Sequence, residues 1–158
     1  MAQKYPFEEY TRVVLVTSIA NISAPTVAEV AAGTVITCDL TKDGLNPGGT
    51  TNSVDSAGLC SRVDSQVAGS VGYSMMLKGF RYSDTDSFWN LANWGDASHL
   101  VVRRGQDYSD AVVATDKVEV YTIQMGEPIP AASAANTLQT FELACFVDAA
   151  DLKAVVAA

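Results

Sequence analysis

The stretch His99–Glu127, HLVVRRGQDYSDAVVATDKVEVYTIQMGE, decides the fold class. It contains two extended runs, Leu100–Arg104 and Lys117–Gln124, joined by a polar connector. In the second run Val118, Val120 and Ile123 are apolar and Lys117, Glu119 and Gln124 polar, with Tyr121 and Thr122 between. Successive side chains of a strand leave the pleat on opposite faces, so this alternation of β-branched and aromatic residues predicts a half-buried strand. Gly105 and Gly126 punctuate the two runs. The pair reads as the central meander of a mainly β domain, a sandwich or barrel-like fold with one flanking helix.

Working outward, Arg12–Ile19 (RVVLVTSI) and Thr34–Leu40 (TVITCDL) carry strand composition. Between them Thr26–Ala32 suits a short helical turn, with Thr26 as cap, Glu29 at the capping-box position and Gly33 as its end. Thr41–Gly58, TKDGLNPGGTTNSVDSAG, is dense in turn residues and reads as a long loop. A structureless stretch of that length inside a compact domain is usually functional or ordered against a partner. Leu59–Val67 and Ser70–Tyr82 read as two further strands, with Gly69 as a bend, Gly79 as a bulge and Met75-Met76-Leu77 as core.

Ser83–Gly95, SDTDSFWNLANWG, predicts the helix, over about residues 83–94. Ser83 can cap it, Asp84 and Asp86 place negative charge at its positive end, and Gly95 supplies a left-handed stop. Phe88, Trp89 and Leu91 are the residues expected to dock it on a sheet, with Ala92 on the same face and Trp94 adding aromatic area. Pro128–Asn136 reads as a linker and Thr137–Val147 as the last strand. Residues 1–10 read as an N-terminal arm, and residues 148–158 as a C-terminal arm or a short helix capped by Asp148 or Asp151. One domain accommodates all 158 residues.

The formal net charge is −8, with the acids spread along the chain and no basic cluster beyond Arg103-Arg104. A protein that grips nucleic acid by its phosphates needs the opposite balance. On a strand these two arginines face opposite ways, and the excess of acids suggests that one pairs with a carboxylate of a neighbouring subunit. Three cysteines, Cys38, Cys60 and Cys145, with no CxxC spacing, read as buried reduced thiols. The N-terminus carries Glu8 and Glu9 where a signal peptide needs positive charge, and VVLVTSI is too short to span a bilayer, so neither targeting signal nor membrane anchor is expected.

The parts of a catalytic site are scarce. His99 is the single histidine, and no GxSxG elbow, Walker or dinucleotide-binding glycine frame, or EF-hand spacing is present. Neither a catalytic residue, a cofactor nor a metal ligand is assigned; a hydrolase built on His99 stands only as a foil.

In order, the chain runs from the Pro25-Thr26-x-x-Glu29 segment through TVITCDLTKDGLN, a long connection, strands ending in GFRY, and SFWNLA, to VVRRG leading into DKVEVYTIQMGEP. This resembles the major tail protein, or tail tube protein, of phages with long non-contractile tails, most closely those infecting actinobacteria. The resemblance spans nearly the whole chain. It implies a virion structural protein, made in the host cytoplasm, whose hexameric rings stack into a tube that conducts DNA without binding it specifically. Its partners would be itself, the tape measure, the tail terminator and the baseplate or tip proteins. The loop that bridges rings would hold Lys42, Asp43, Gly44, Leu45, Asn46, Pro47, Gly48, Gly49 and Asn52. The alternative from the residues alone is a capsid decoration protein or another small β-rich binding module.

Overall fold

The computed structural model describes residues 4–158; Met1–Gln3 of the expected arm lie outside the described residues. The strands are β1 (Thr11–Val16), β2 (Thr34–Val35), β3 (Leu40–Asp55), β4 (Gln66–Phe80), β5 (Ala97–Arg104), β6 (Lys117–Met125), β7 (Ile129–Pro130) and β8 (Thr140–Val155). Two short helices, α1 (Val27–Ala31) and α2 (Ser87–Leu91), and a 3-10 turn at Thr37–Asp39 complete the described elements. The strands form one antiparallel sheet in the order β2-β1-β5-β6-β8-β4-β3, with β7 added beside β8. The protein is mainly β, and the meander read from His99–Glu127 is its centre: β5 pairs β6 from Ala97↔Gln124 to Arg103↔Val118.

The sheet bends because β8 carries extra residues. Between Val118↔Ala154 and Val120↔Asp151, β8 advances three residues for two on β6, and Asp148 is extra between Thr122↔Ala149 and Ile123↔Val147. Bulges of this kind kink a strand and raise its twist. The N-terminal half of β8 pairs β4 and the C-terminal half pairs β6. The sheet therefore folds over itself, and Val13, Leu100 and Ile123 from one half share a core with Met75, Leu77, Phe141 and Leu143 from the other. Strands that switch sheets at bulges make the corners of a sandwich in the same way. A cleft of about 410 Å³, lined by residues such as Phe7, Val13, Thr37, Leu40 and Leu45, lies where the edges at β1 and β3 approach without pairing.

Strand alternation builds a second core on the opposite face. Val14, Val16, Val101, Val118 and Val120 pack there with Ile19, Val30, Ala154 and Val156. Helix α1 caps this face through the expected box: the Glu29 amide donates to Thr26 Oγ1 (3.2 Å) and the Thr26 amide to Glu29 Oε2 (2.8 Å). The Ala20 amide also donates to Glu29 Oε1, and these backbone donors, Thr26 foremost, hold the Glu29 carboxyl below its ordinary range. Residues 148–158 form neither helix nor free arm. Asp148–Val155 continue β8, and the Ala157 amide donates to the Pro25 carbonyl (2.8 Å), tying the end of the chain beside α1.

Several expectations are corrected. Only Thr34–Val35 of the expected Thr34–Leu40 strand pairs with β1. Beyond it the Thr37 hydroxyl takes the Val13 amide (2.8 Å), a side-chain substitute for the ladder. Thr41–Gly58 is not a loop, because β3 runs to Asp55; Leu59–Val67 is not a strand, because β4 begins at Gln66. The turn residues misled because β3 is an edge, where proline is tolerated, and because Thr41–Gly44 bulge out between Leu40↔Gly79 and Leu45↔Leu77. Gly44 sits in that bulge, where an added Cβ would collide with the Lys78 carbonyl. Gly69 does mark a bend, since β4 gains a residue there between Thr51↔Val71 and Ser53↔Ala68. Met75 and Leu77 are core, while Met76 faces solvent.

Helix α2 is shorter than expected. Asp86 is its N-cap but makes no side-chain cap bond: its Oδ2 pairs with Arg81, and its buried Oδ1 has no partner among the described residues. One turn can bury only Phe88 and, four residues on, Ala92; Leu91 and Trp94 are exposed, so neither docks the helix. The Phe88 ring lies 5.1 Å from Phe141, and the half-buried Trp89 meets Phe141 edge-on at 5.0 Å. Gly79 leaves the room for this cluster, since a Cβ there would come within 2.8 Å of both phenylalanine rings. Gly95 has a left-handed φ of +85°, but α2 ends at Leu91 with Ala92 as its C-cap, so Gly95 is not the stop of that helix. Of the cysteines only Cys145 is buried, which pushes its thiol up to about 12; Cys38 and Cys60 are exposed and free.

Arg103 is 1% exposed and organises the connector between β5 and β6. Its guanidinium donates to the carbonyls of Asp107 (2.7 Å), Asp110 and Ala111 (both 2.9 Å) and pairs with Asp116 at 3.3 Å. Burial alone would raise the Asp116 carboxyl, but the Val113 amide, Gln106 and Arg103 outweigh it and hold the group low. Removing one partner of a buried pair strands the other, so Asp116→Ala should destabilise the fold by about 3–5 kcal/mol, measured by urea unfolding. His99 lies inside β5 with a buried Nδ1 that has no partner among the described residues; burial lowers its pKa, only partly offset by Glu29. The unfolded chain therefore takes the proton first, and stability should fall as pH drops below the ordinary histidine value of about 6.5. His99→Gln should lose this component, giving a flatter unfolding midpoint between pH 7 and 5 than the unaltered protein.

Candidate assembly surfaces

The β3–β4 ribbon is the least self-sufficient part of the molecule. At its base Leu45, Met75 and Leu77 pack into the first core. From Asn46 to Asp55 every β3 residue is exposed, and β4 from Gln66 to Gly72 is exposed apart from Gly69. The distal ribbon thus has solvent on both faces. A lone two-stranded ribbon of this kind is barely stable in water. Its apolar residues, Val54 paired with Val67, and Val71, face solvent too. At the tip the Ser56 amide donates to the Ser65 carbonyl (2.8 Å), and Leu59 and Val63 project outward.

The residues expected in a ring-bridging loop all lie on β3. Lys42 pairs with Glu8 of the N-terminal segment at 2.9 Å, an exposed pair that contributes little stability. The Thr41 hydroxyl donates to Asp43 (2.8 Å) and holds that carboxyl below its ordinary range. Asn46, Pro47, Gly48 and Gly49 pair with Met76, Met75, Ser74 and Tyr73, and Asn52 Nδ2 donates to Ser70 Oγ (3.0 Å). The outer side of this 16-residue strand has no partner strand among the described residues. An unpaired strand edge presents a row of free amides and carbonyls, a template for another chain. Lys42, the bulge and Pro47 blunt its first half, whereas Thr50–Asp55 is left open. At the far side of the sheet the two-residue β2 covers only part of β1.

The two arginines are spent within the chain. Arg103 is enclosed by its own connector and offers no face to a neighbouring subunit, which corrects the expectation for that residue. Arg104 binds Glu119 through two nitrogens, at 2.8 and 3.2 Å, and the Tyr121 hydroxyl donates to the same carboxylate (3.0 Å). Burial, followed by that neighbouring charge, raises the Tyr121 phenol.

Among the described residues no group of three or more histidine, cysteine or acidic side chains is placed to hold a metal ion. No described helix is long and apolar enough to cross a membrane. Among the described residues the features that stand out are strand edges without a partner strand and exposed apolar residues. Sequence reasoning missed the ribbon, although the β-branched residues Thr50, Thr51 and Val54 opposite Val67 and Val71 carried its signal.

The family model for phage tail tube proteins matches residues 1–158. A comparison with curated proteins gives no match. Tail tube proteins are structural components of the virion that assemble with their own copies into a tube. With residues 1–158 matched and a mainly β fold consistent with the match, the chain belongs to the phage tail tube protein family.

Proposed function

We propose that this chain is the major tail tube subunit of a long non-contractile phage tail, of the kind carried by phages of actinobacteria. Six copies close a ring, rings stack into a tube, and the tube conducts the genome to the host. The observation that carries this reading is the open 16-residue edge of β3, with its distal half bare on both faces. An edge of that length is an aggregation hazard unless a partner covers it. A second copy covers it in a controlled way. Because the two sheet edges are different surfaces, contact between them is heterologous, and such contacts close into rings when the rotation allows.

The role is structural, without cofactor or metal. The net charge of −8 supports a conduit through which DNA passes without being held. The N-terminal segment and the ribbon, including Lys42–Gly49 and Asn52, serve as contacts between rings, while β8 and the end of the chain belong to the body of each subunit. The tape measure, terminator and tip proteins would bound the tube, which is assembled in the host cytoplasm and carried in the virion.

Negative-stain electron microscopy of the concentrated protein tests this directly: hollow tubes or six-fold rings are expected, and a solution of monomers at every concentration would count against it. Replacing residues 50–71 by a two-residue turn removes no residue of either core. That variant should keep its circular dichroism signature and cooperative unfolding yet form no tubes. Tubes as abundant as those of the unaltered chain would remove the ribbon from the assembly.

A further inference from the structure

The ribbon tip and the surface beside α2 stand at opposite ends of one strand. β4 is 15 residues long, an extent on the order of 45 Å. Its N-terminal end carries the tip, where Leu59 is fully exposed, Val63 is largely so, and Arg62 between them makes no ion pair among the described residues. Arg62 is also the only basic residue between Lys42 and Lys78. The C-terminal end of β4 leads into α2, beyond which Trp94 is 75% exposed beside the exposed Leu91. Asp96 follows Trp94, and Arg81 at the same end is already committed to Asp86 and the Trp89 ring.

We infer that the tip of one copy seats on the Leu91–Trp94 surface of the next, Arg62 over the Trp94 ring and Leu59 and Val63 against the surrounding apolar area. This rests on the tube reading and names the surface that receives the ribbon. The chemistry is complementary. An unpaired guanidinium meets an exposed indole bordered by an acid, the best aromatic partner for a cation. Arginine and tryptophan are also the side chains that concentrate binding energy at interfaces. The two surfaces are different patches of the subunit, so the contact is heterologous and need not close on itself. It propagates, as a heterologous interface must when it builds a filament.

Two full-length variants test the pairing: a tip variant, Arg62→Glu with Val63→Asp, and a surface variant, Leu91→Asp with Trp94→Ser. All four side chains are exposed, so both should match the unaltered chain in unfolding midpoint. Each alone should form no tubes under conditions where the unaltered chain does. Mixed, they should associate into short stacks that stop growing, because one intact tip meets one intact surface and no further contact is available. Tubes from the surface variant alone, or no association in the mixture, would overturn the inference while leaving the tube reading in place. Failure of the unaltered chain to form tubes would overturn the tube reading itself. Cross-linking gives an independent readout. In a Cys38→Ser, Asn93→Cys background, which keeps Leu91 and Trp94 and alters only an exposed position, a short bismaleimide should join copies of the assembled protein between native Cys60 and the introduced thiol; absence of that product would also overturn the pairing.

Discussion

The structure depends on β8 belonging to both halves of the sheet. Its first half is laddered to β4 and its second to β6, and the bulges at Asp148 and near Leu152–Lys153 turn the chain between them. Without that bend, Phe141 and Leu143 could not face Leu100 and Ile123 across a common core. The same strand then lays Ala154 against the opposite face, where valines of β1, β5 and β6 form the second core. One strand thus links two cores, and the sheet is buried on both sides through its centre while its edges stay bare. An antiparallel sheet with one solvated face would read as a clean polar–apolar alternation; here Val13-Val14 and Leu100-Val101 are apolar on both faces because each face has its own core.

Arg103 illustrates the limits of a charge-based reading. A guanidinium on a strand in an acidic chain invites an intermolecular partner, yet the β5–β6 connector folds back and supplies three carbonyls and a carboxylate. Those acceptors are eight residues or fewer away for the carbonyls, and the carboxylate only thirteen, so the loop closes locally. The outcome is a rigid start for β6 rather than a contact site.

What was legible in the sequence followed from local chemistry. The alternation of Lys117–Gln124 and the Thr26–Glu29 box each act within a few residues, and each has the expected form. What was not legible depended on tertiary competition. Asp86 pairs with Arg81 through Oδ2 instead of capping α2, and a 3-10 turn at Thr37–Asp39 interrupts the expected strand where Thr37 takes the Val13 amide. The ribbon was hidden because glycine and proline signal turns unless one knows that the strand is an edge. The segment Lys42–Asn52, expected as a loop, is part of a strand. Leu91 and Trp94, read as anchors of a helix, are exposed because that helix is a single turn.

The glycines of the ribbon have a mechanical consequence. Gly48, Gly49, Gly69 and Gly72 place four positions without side chains in its exposed half. Strands gain stiffness from neighbouring side chains that wedge against one another, and these positions have none to offer. The ribbon is therefore compliant where the body, with two packed cores, is rigid. A column of such subunits joined through their ribbons would take up bending strain at the joints between stacked layers, curving as a whole while each layer keeps its bore round.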